Sequence, residues 1–397
     1  MNKDFELKKL SEVCNFQNGF AFKSNTFKDS GTPVIRITNI KNDIIDTSNV
    51  VYINPLDYDK DLSKYEIKNN DLLIAMSGAT TGKIGIYKGN EKLLLNQRVG
   101  NFKPKDKLSK EYLFYFLLTK VEENLAISAG SAQPNLSTLQ INNFMLPLFN
   151  LDIQKQIVEI LDKAFESIEQ AKVNIEKNIE NTKELFQSRL NEIFSQKGDG
   201  WEEKKLGKVC KTGAGGTPLK SKKEYYENGN IPWLCSGEVK QGNIYSSNKF
   251  ITQKGLDNSS AKLFPKDTVV IAMYGATAGD VGILRFETST NQAVCGILPN
   301  DILIPEFIYY SFSYRKNELI AQATGNAQPN ISQIKIKNTL IPILEKKEQL
   351  KIIEELDSLK EQTKQLENHY KQKLKNLEEL KKSILQKAFS GELLNDS

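Results

Sequence analysis

The stretch Gly78-Ala79-Thr80-Thr81-Gly82-Lys83 holds the residue types of a phosphate cradle: glycines that leave backbone N–H groups open, hydroxyls and a lysine. A nucleotide-binding P-loop needs Gly at position 77 and Ser or Thr after the lysine, and the chain has Ser77 and Ile84 there. A second copy, Gly275-Ala276-Thr277-Ala278-Gly279-Asp280, puts an acid where the lysine stands. The bland reading is a glycine-rich turn between strands. The functional one lets that turn approach a DNA phosphate, with Thr80, Lys83 and Thr277 as candidate donors.

Other catalytic constellations fail on residue type. The single histidine, His369, lies in a long helical segment beside Tyr370, where a solvated or interfacial role is expected rather than a base or metal ligand. No His, Cys and carboxylate set has metal spacing. An adenine methyltransferase needs Asn or Asp followed by two prolines and an aromatic residue, and Asn54-Pro55-Leu56-Asp57 lacks the second proline. Glu66-Ile67-Lys68 resembles part of a nuclease site, but a chain this rich in both charges contains such triplets by chance. The sequence therefore predicts no enzyme, and no cofactor or metal held by this chain.

The elements that position these residues come in duplicate. At an offset of about 195 residues, Ile74–Ile86 matches Ile271–Ile283, Asn96-Gln97 matches Asn291-Gln292, and Ser131–Ile141 matches Asn326–Ile336 with Ala-Gln-Pro-Asn in both. A repeat this long is two whole domains rather than a solenoid. Residues 1–150 and 198–345 alternate short β-branched runs with turn residues and one helix, an α+β pattern. Residues 151–197 and 346–397 lack internal proline and carry apolar residues at alternating steps of four and three, the seam of a coiled coil. Each such helix, about 40 residues or roughly 60 Å long, needs its stripe covered. Domain, helix, domain, helix order predicts an antiparallel coiled coil with pseudo-two-fold symmetry. Ile157, Leu161, Ala164, Ile168, Ala171, Ile175, Thr182 and Leu185 are expected in the first seam. Net charge is +5 and the four cysteines form no C-x-x-C pair. With no long apolar run, the expectation is a soluble cytoplasmic protein without membrane contact.

Taken together, this order, the paired GAT-x-G-x-x-G stretches, the Asn-Gln pairs and the Ala-Gln-Pro-Asn-x-Ser stretches before a proline and a long helix resemble the specificity subunit of type I restriction-modification systems. The resemblance covers essentially the whole chain. It implies that each globular half is a target recognition domain for one part of a split site in double-stranded DNA, and that the paired helices set the spacing. It also implies two methyltransferase (modification) subunits docked on the chain and restriction/translocase subunits joining them, with S-adenosylmethionine, ATP and Mg on those partners. The rival classes are a coiled-coil scaffold that ignores DNA and, against the missing motifs, a self-contained methyltransferase or nuclease.

Two domains that read different half-sites must differ where they touch bases, and the halves diverge most over Gly31–Glu66 and Lys220–Ser260. Candidate readers are therefore Arg36, Thr38, Asn39 and Lys41 in the first half, and Lys222, Lys223, Trp233, Ser236, Glu238 and Lys240 in the second. Arg98, beside Asn96-Gln97, is placed to reach phosphate. For Gln133-Pro134-Asn135 and Gln328-Pro329-Asn330 ordinary turn chemistry is the stronger reading. Phe165, Phe186, Phe194, Leu374 and Phe389 fall off the helical seams and are expected on outer faces that recruit partners.

Overall fold

The computed structural model describes residues 5–41, 43–128, 135–196, 201–321 and 330–393. The chain forms two compact units. The first joins residues 1–175 to 372–397 and the second comprises 176–371, so each unit owns one globular part and portions of both long helices, Leu151–Ser195 and Lys346–Ser390.

Both globular parts follow one plan. In the first unit the strands Cys14–Asn18, Val99–Pro104, Leu72–Ala75, Ile84–Ile86, Asp43–Ile45 and Ile40–Lys41 form a sheet in that order. A second sheet runs Val51–Ile53, Thr32–Ile35, Leu93–Leu95, Glu66–Ile67. In the second unit the corresponding orders are Thr212–Ala214, Val294–Ile297, Val269–Ala272, Val281–Leu284, Asn243–Ile244, and Phe250–Ile251, Ile231–Leu234, Thr288–Thr290, Leu263–Phe264. Leu72–Ala75 and Val269–Ala272 are buried at every position, so they read as unbroken apolar runs rather than alternating ones. A ribbon closes each part: Glu6–Lys9 with Met145–Leu148, and Glu202–Lys205 with Leu340–Ile343.

Within each unit the two helical segments run antiparallel. In the first, Lys172 pairs with Glu378 at 2.5 Å and Lys381 with Glu169 at 3.8 Å, over a core holding Ile157, Leu161, Ile168, Leu385 and Ala388. In the second, Arg189 meets Glu355 at 2.5 Å and Lys183 meets Glu367 at 3.5 Å, over Leu190, Phe194, Ile353 and Leu356. Ile157, Leu161, Ile168 and Thr182 are buried as the seam requires, but Leu185 is 53% exposed and lies off it.

The off-seam phenylalanines do not face outward. Phe165 packs on the Tyr115 ring at 5.4 Å, Phe389 on Tyr112 at 5.1 Å and Phe116 at 5.6 Å, Phe186 on Tyr310 at 6.4 Å, and Phe194 on Phe307 at 5.6 Å and Tyr314 at 5.7 Å. The apolar stripe widens because each helix packs on its globular part as well as on the other helix, with Lys381 lying 4.7 Å over the Phe165 ring, which corrects their assignment to partner-recruiting faces. Leu374 stays half-buried. Among the described residues no helix is long and apolar enough to cross a membrane.

Candidate nucleic-acid interface

In both units the duplicated motifs meet. The turn Gly78–Thr80 enters with Gly78 at φ +78°, a left-handed conformation that suits glycine, and Gly275–Thr277 does the same with Gly275 at +77°. Each turn is tied down by the segment after the Gln-Pro pair: Ser77 bridges Asn135 and Leu136 N–H donates to the Met76 carbonyl at 2.7 Å, while Tyr274 bridges Asn330 and Ile331 N–H donates to Met273 at 2.9 Å. Gln133, Pro134, Gln328 and Pro329 themselves lie outside the described residues.

The candidate loops pack on these turns. Ile37–Asn39 lies against Gly78–Thr80, and the Thr80 hydroxyl donates to the Ile37 carbonyl at 3.3 Å. Ser236–Gln241 lies against Gly275–Thr277. The structure thus gathers Arg36, Thr38, Lys41 and Thr80 in the first unit, and Ser236, Lys240 and Thr277 in the second. Thr38, Lys41, Lys83, Arg98, Lys222, Lys223 and Lys240 are exposed, whereas Arg36, Thr80, Ser236 and Thr277 are half-buried.

Three candidates have other duties. Asn39 is 3% exposed; its Oδ1 accepts from Arg36 N–H at 2.9 Å, and its Nδ2 donates to the carbonyls of Asp46 at 3.1 Å and Asn49 at 2.9 Å. Glu238, at the equivalent place, accepts from Cys235 N–H and Asn248 N–H, both at 2.9 Å. Both side chains are clamps that shape the loop, with their hydrogen-bonding capacity committed to backbone. Trp233 is 6% exposed and donates its indole N–H to the Gly216 carbonyl at 3.0 Å, so it is a wall of the fold and not a stacking platform. An aromatic residue in a basic stretch carried the base-reading expectation, but its position in the strand Ile231–Leu234 decides its burial.

Three exposed cations are already engaged, Lys223 with Glu227 at 4.0 Å among them. Lys41 pairs with Asp46 at 2.9 Å, and bonds from Ser48 together with Lys41 hold that carboxyl well below the usual range. Lys222 lies 5.2 Å from the Tyr225 ring centroid. Arg36 differs: its guanidinium stands 6.0 Å from the Phe27 ring centroid, and its Nε is buried and finds no hydrogen-bond partner among the described residues. A half-buried guanidinium oriented against a ring, with an unspent donor, is preorganised for an acceptor.

Beside its loop the second unit carries a groove lined by Thr217, Lys220, Lys223, Tyr226 and Glu227 on one side and Trp233, Cys235, Lys249, Asn291 and Gln292 on the other. Three lysines against one carboxylate leave it basic. Gly216, whose carbonyl accepts from Trp233, has no room for a side chain, because a Cβ there would stand 2.2 Å from Ala261 N. Burial pushes the Cys235 thiol up from its ordinary value. Lys220, Lys249, Thr217 and Gln292 were missing from the base-reader candidates. Their signal was present, since the first two fall in the divergent stretch and Gln292 in a repeated pair. In the first unit the same neighbourhood is aromatic: Phe20 lies 5.6 Å from Tyr58 and 5.3 Å from Tyr65, with Lys60 5.9 Å over Phe20 and Lys64 5.0 Å over Tyr65. The loops differ as two readers on one scaffold must.

The fold thus holds two copies of one module, each carried on its own helix segments. The model of the type I restriction modification DNA specificity domain matches residues 2–181 and 198–376, and the chain belongs to that family as a specificity subunit with two recognition domains. It is 30% identical over 216 residues to the EcoR124I/EcoR124II specificity subunit of Escherichia coli, covering 53% of this chain and about half, 52%, of that subunit. It is 25% identical over 420 residues to the EcoBI specificity subunit of Escherichia coli, covering 97% and 85%. A chain from a structure on assembly and conformational transition of the type I R-M system shares the fold, with TM-score 0.77 at 19% identity over 98% of both chains.

Proposed function

We propose that the chain binds duplex DNA at a bipartite target, one part per recognition domain, and carries no active site of its own. The observation behind this reading is that each unit presents a lysine-bearing surface at the same place on the same fold, beside the same glycine-rich turn, while its lining differs: Phe20, Tyr58, Lys60 and Tyr65 in one unit, Thr217, Lys220, Tyr226 and Lys249 in the other. Arg36 is the candidate guanine reader of the first half; Gln292, whose Oε1 accepts from the Thr217 hydroxyl, offers the second half its amide N–H2 as a donor. Exposed Lys83, Arg98, Lys223 and Lys240 contribute phosphate contacts, which position the protein and carry no sequence information.

In this reading two methyltransferase subunits dock on the chain and hold S-adenosylmethionine, restriction/translocase subunits hold ATP and Mg, and the assembly works in the cytoplasm. The helices set the spacer between the two parts. Co-expression with an adenine methyltransferase of such a system, followed by single-molecule mapping of methylated positions, tests it. A split motif with one methylated adenine on each strand is the expected result. An intact complex that methylates no new positions would transfer the protein to the scaffold class.

A further inference from the structure

Each unit fastens its long helix to its globular part with the same two polar joints. In the first unit Gln154, 0% exposed, accepts from Ser109 N–H at 2.9 Å and donates to the carbonyls of Lys107 at 2.9 Å and Phe149 at 2.8 Å. In the second, Gln349, also 0% exposed, accepts from Ile304 N–H at 2.8 Å and donates to the carbonyls of Ile302 and Leu344, both at 2.9 Å. Further along each helix the Tyr115 hydroxyl donates to Asp162 at 2.5 Å, and the Tyr310 hydroxyl to Asp357. Asp162 follows Gln154, and Asp357 follows Gln349, by the same eight positions, which places both joints on one helix face.

Apolar side chains would fill these positions without needing any bond. What a satisfied buried amide adds is register, because sliding the helix by one residue, about 1.5 Å and 100° of rotation, breaks at once its two bonds to the globular part, to Ser109 and Lys107 in one unit and to Ile304 and Ile302 in the other. The tyrosine joint adds a second fixed point, and two points on one face define both axial position and rotation.

We propose that Gln154 with Tyr115–Asp162, and Gln349 with Tyr310–Asp357, are positioning residues that lock each recognition domain to one setting on its helices, and so hold the target's spacer to one length. This rests on the bipartite reading above. One base pair more or less moves a half-site by about 3.4 Å and turns it by roughly 35°. Discrimination against such a spacer is therefore set by the stiffness of these joints and not by the base-reading loops.

The test uses the full chain with its methyltransferase partner, on a DNA library with both half-sites fixed and the spacer varied. Tyr115→Phe and Tyr310→Phe remove the joint with little risk to folding, because Asp162 and Asp357 are exposed and stay solvated without the hydroxyl. Expected are unchanged half-site bases and a rise of about tenfold in methylation at spacers one base pair off, relative to the preferred spacer. That factor corresponds to about 1.4 kcal/mol, within reach of one hydrogen bond to a carboxylate. Gln154→Met, which keeps volume and removes three bonds, should broaden the profile further; should it fail to fold, the tyrosine variants decide alone. A uniform loss of methylation at every spacer, or altered half-site bases with the spacer profile intact, overturns the proposal. If the unsubstituted chain itself yields no split motif, the bipartite reading fails instead, and the parent control reports that separately.

Discussion

Replacing Phe194 by alanine separates two views of the long helices. The ring is 4% exposed and stands 5.6 Å from Phe307, 5.7 Å from Tyr314 and 6.3 Å from Trp201, all within the second unit. Phe→Ala at such a site costs about 3–5 kcal/mol, combining lost transfer energy with the cavity left behind. A unit of about 200 residues loses roughly 2–4 °C of melting temperature per kcal/mol. The Phe194→Ala chain should therefore show a transition about 6–20 °C below its parent in differential scanning calorimetry, before any partner is added. Phe186, half-buried with one ring neighbour at 6.4 Å, should lose about half as much or less when truncated. If Phe194→Ala melted like the parent yet no longer held the methyltransferase, the ring would serve a partner after all and the packing argument would be refuted.

Three further outcomes follow from particular contacts. Asn39→Asp sets a carboxylate against the carbonyls of Asp46 and Asn49 and should cost about 2–3 kcal/mol in urea melts, whereas Glu238→Gln keeps an acceptor for one of its two N–H donors and should cost less. Lys240→Ala should weaken DNA binding evenly across sequences and reduce the salt slope by about one, while Gln292→Ala should relax base preference in one half-site only; the reverse pattern would reassign both residues. The Lys172 ammonium, bonded to Glu378, holds that carboxyl below its ordinary value of 4.5. A depressed folded pKa adds stability that is complete above the unfolded value and vanishes as pH falls through the folded one, so Glu378→Gln should flatten the acid limb of the stability curve below about pH 4.5. An acid limb identical in both chains would show that the pair contributes nothing.

Periodicity and repetition made much of the architecture readable. The steps of four and three that bring Ile157, Leu161 and Ile168 to one stripe leave no alternative to a covered helix, and the doubled GAT and Asn-Gln stretches demand two similar domains. The base-reader candidates were harder, because residue type does not reveal which way a strand or loop side chain points. Trp233 alternates inward, and Asn39 turns back on its own loop, although both sit in the stretch where the halves diverge. Phe165 and Phe194 misled for another reason: a heptad describes one partner, while those helices have two. The Gln154 and Gln349 joints were marked only by recurring at the repeat offset of 195, since a polar residue amid a polar helical sequence looks solvated until the globular part is laid on it.

The loop clamps bear on how a new specificity can be inherited. Asn39 holds its loop by giving hydrogens to carbonyls, and Glu238 holds the matching loop by taking hydrogens from amides, one of them from Asn248, the counterpart of Asn49. The two fasteners are of opposite gender. A graft that brings in the clamp without the far end of its loop, or that end without its clamp, faces acceptor with acceptor or donor with donor. Exchange of recognition loops between such domains should therefore succeed only when the whole stretch from Arg36 to Asn49, or from Cys235 to Asn248, moves as one cassette.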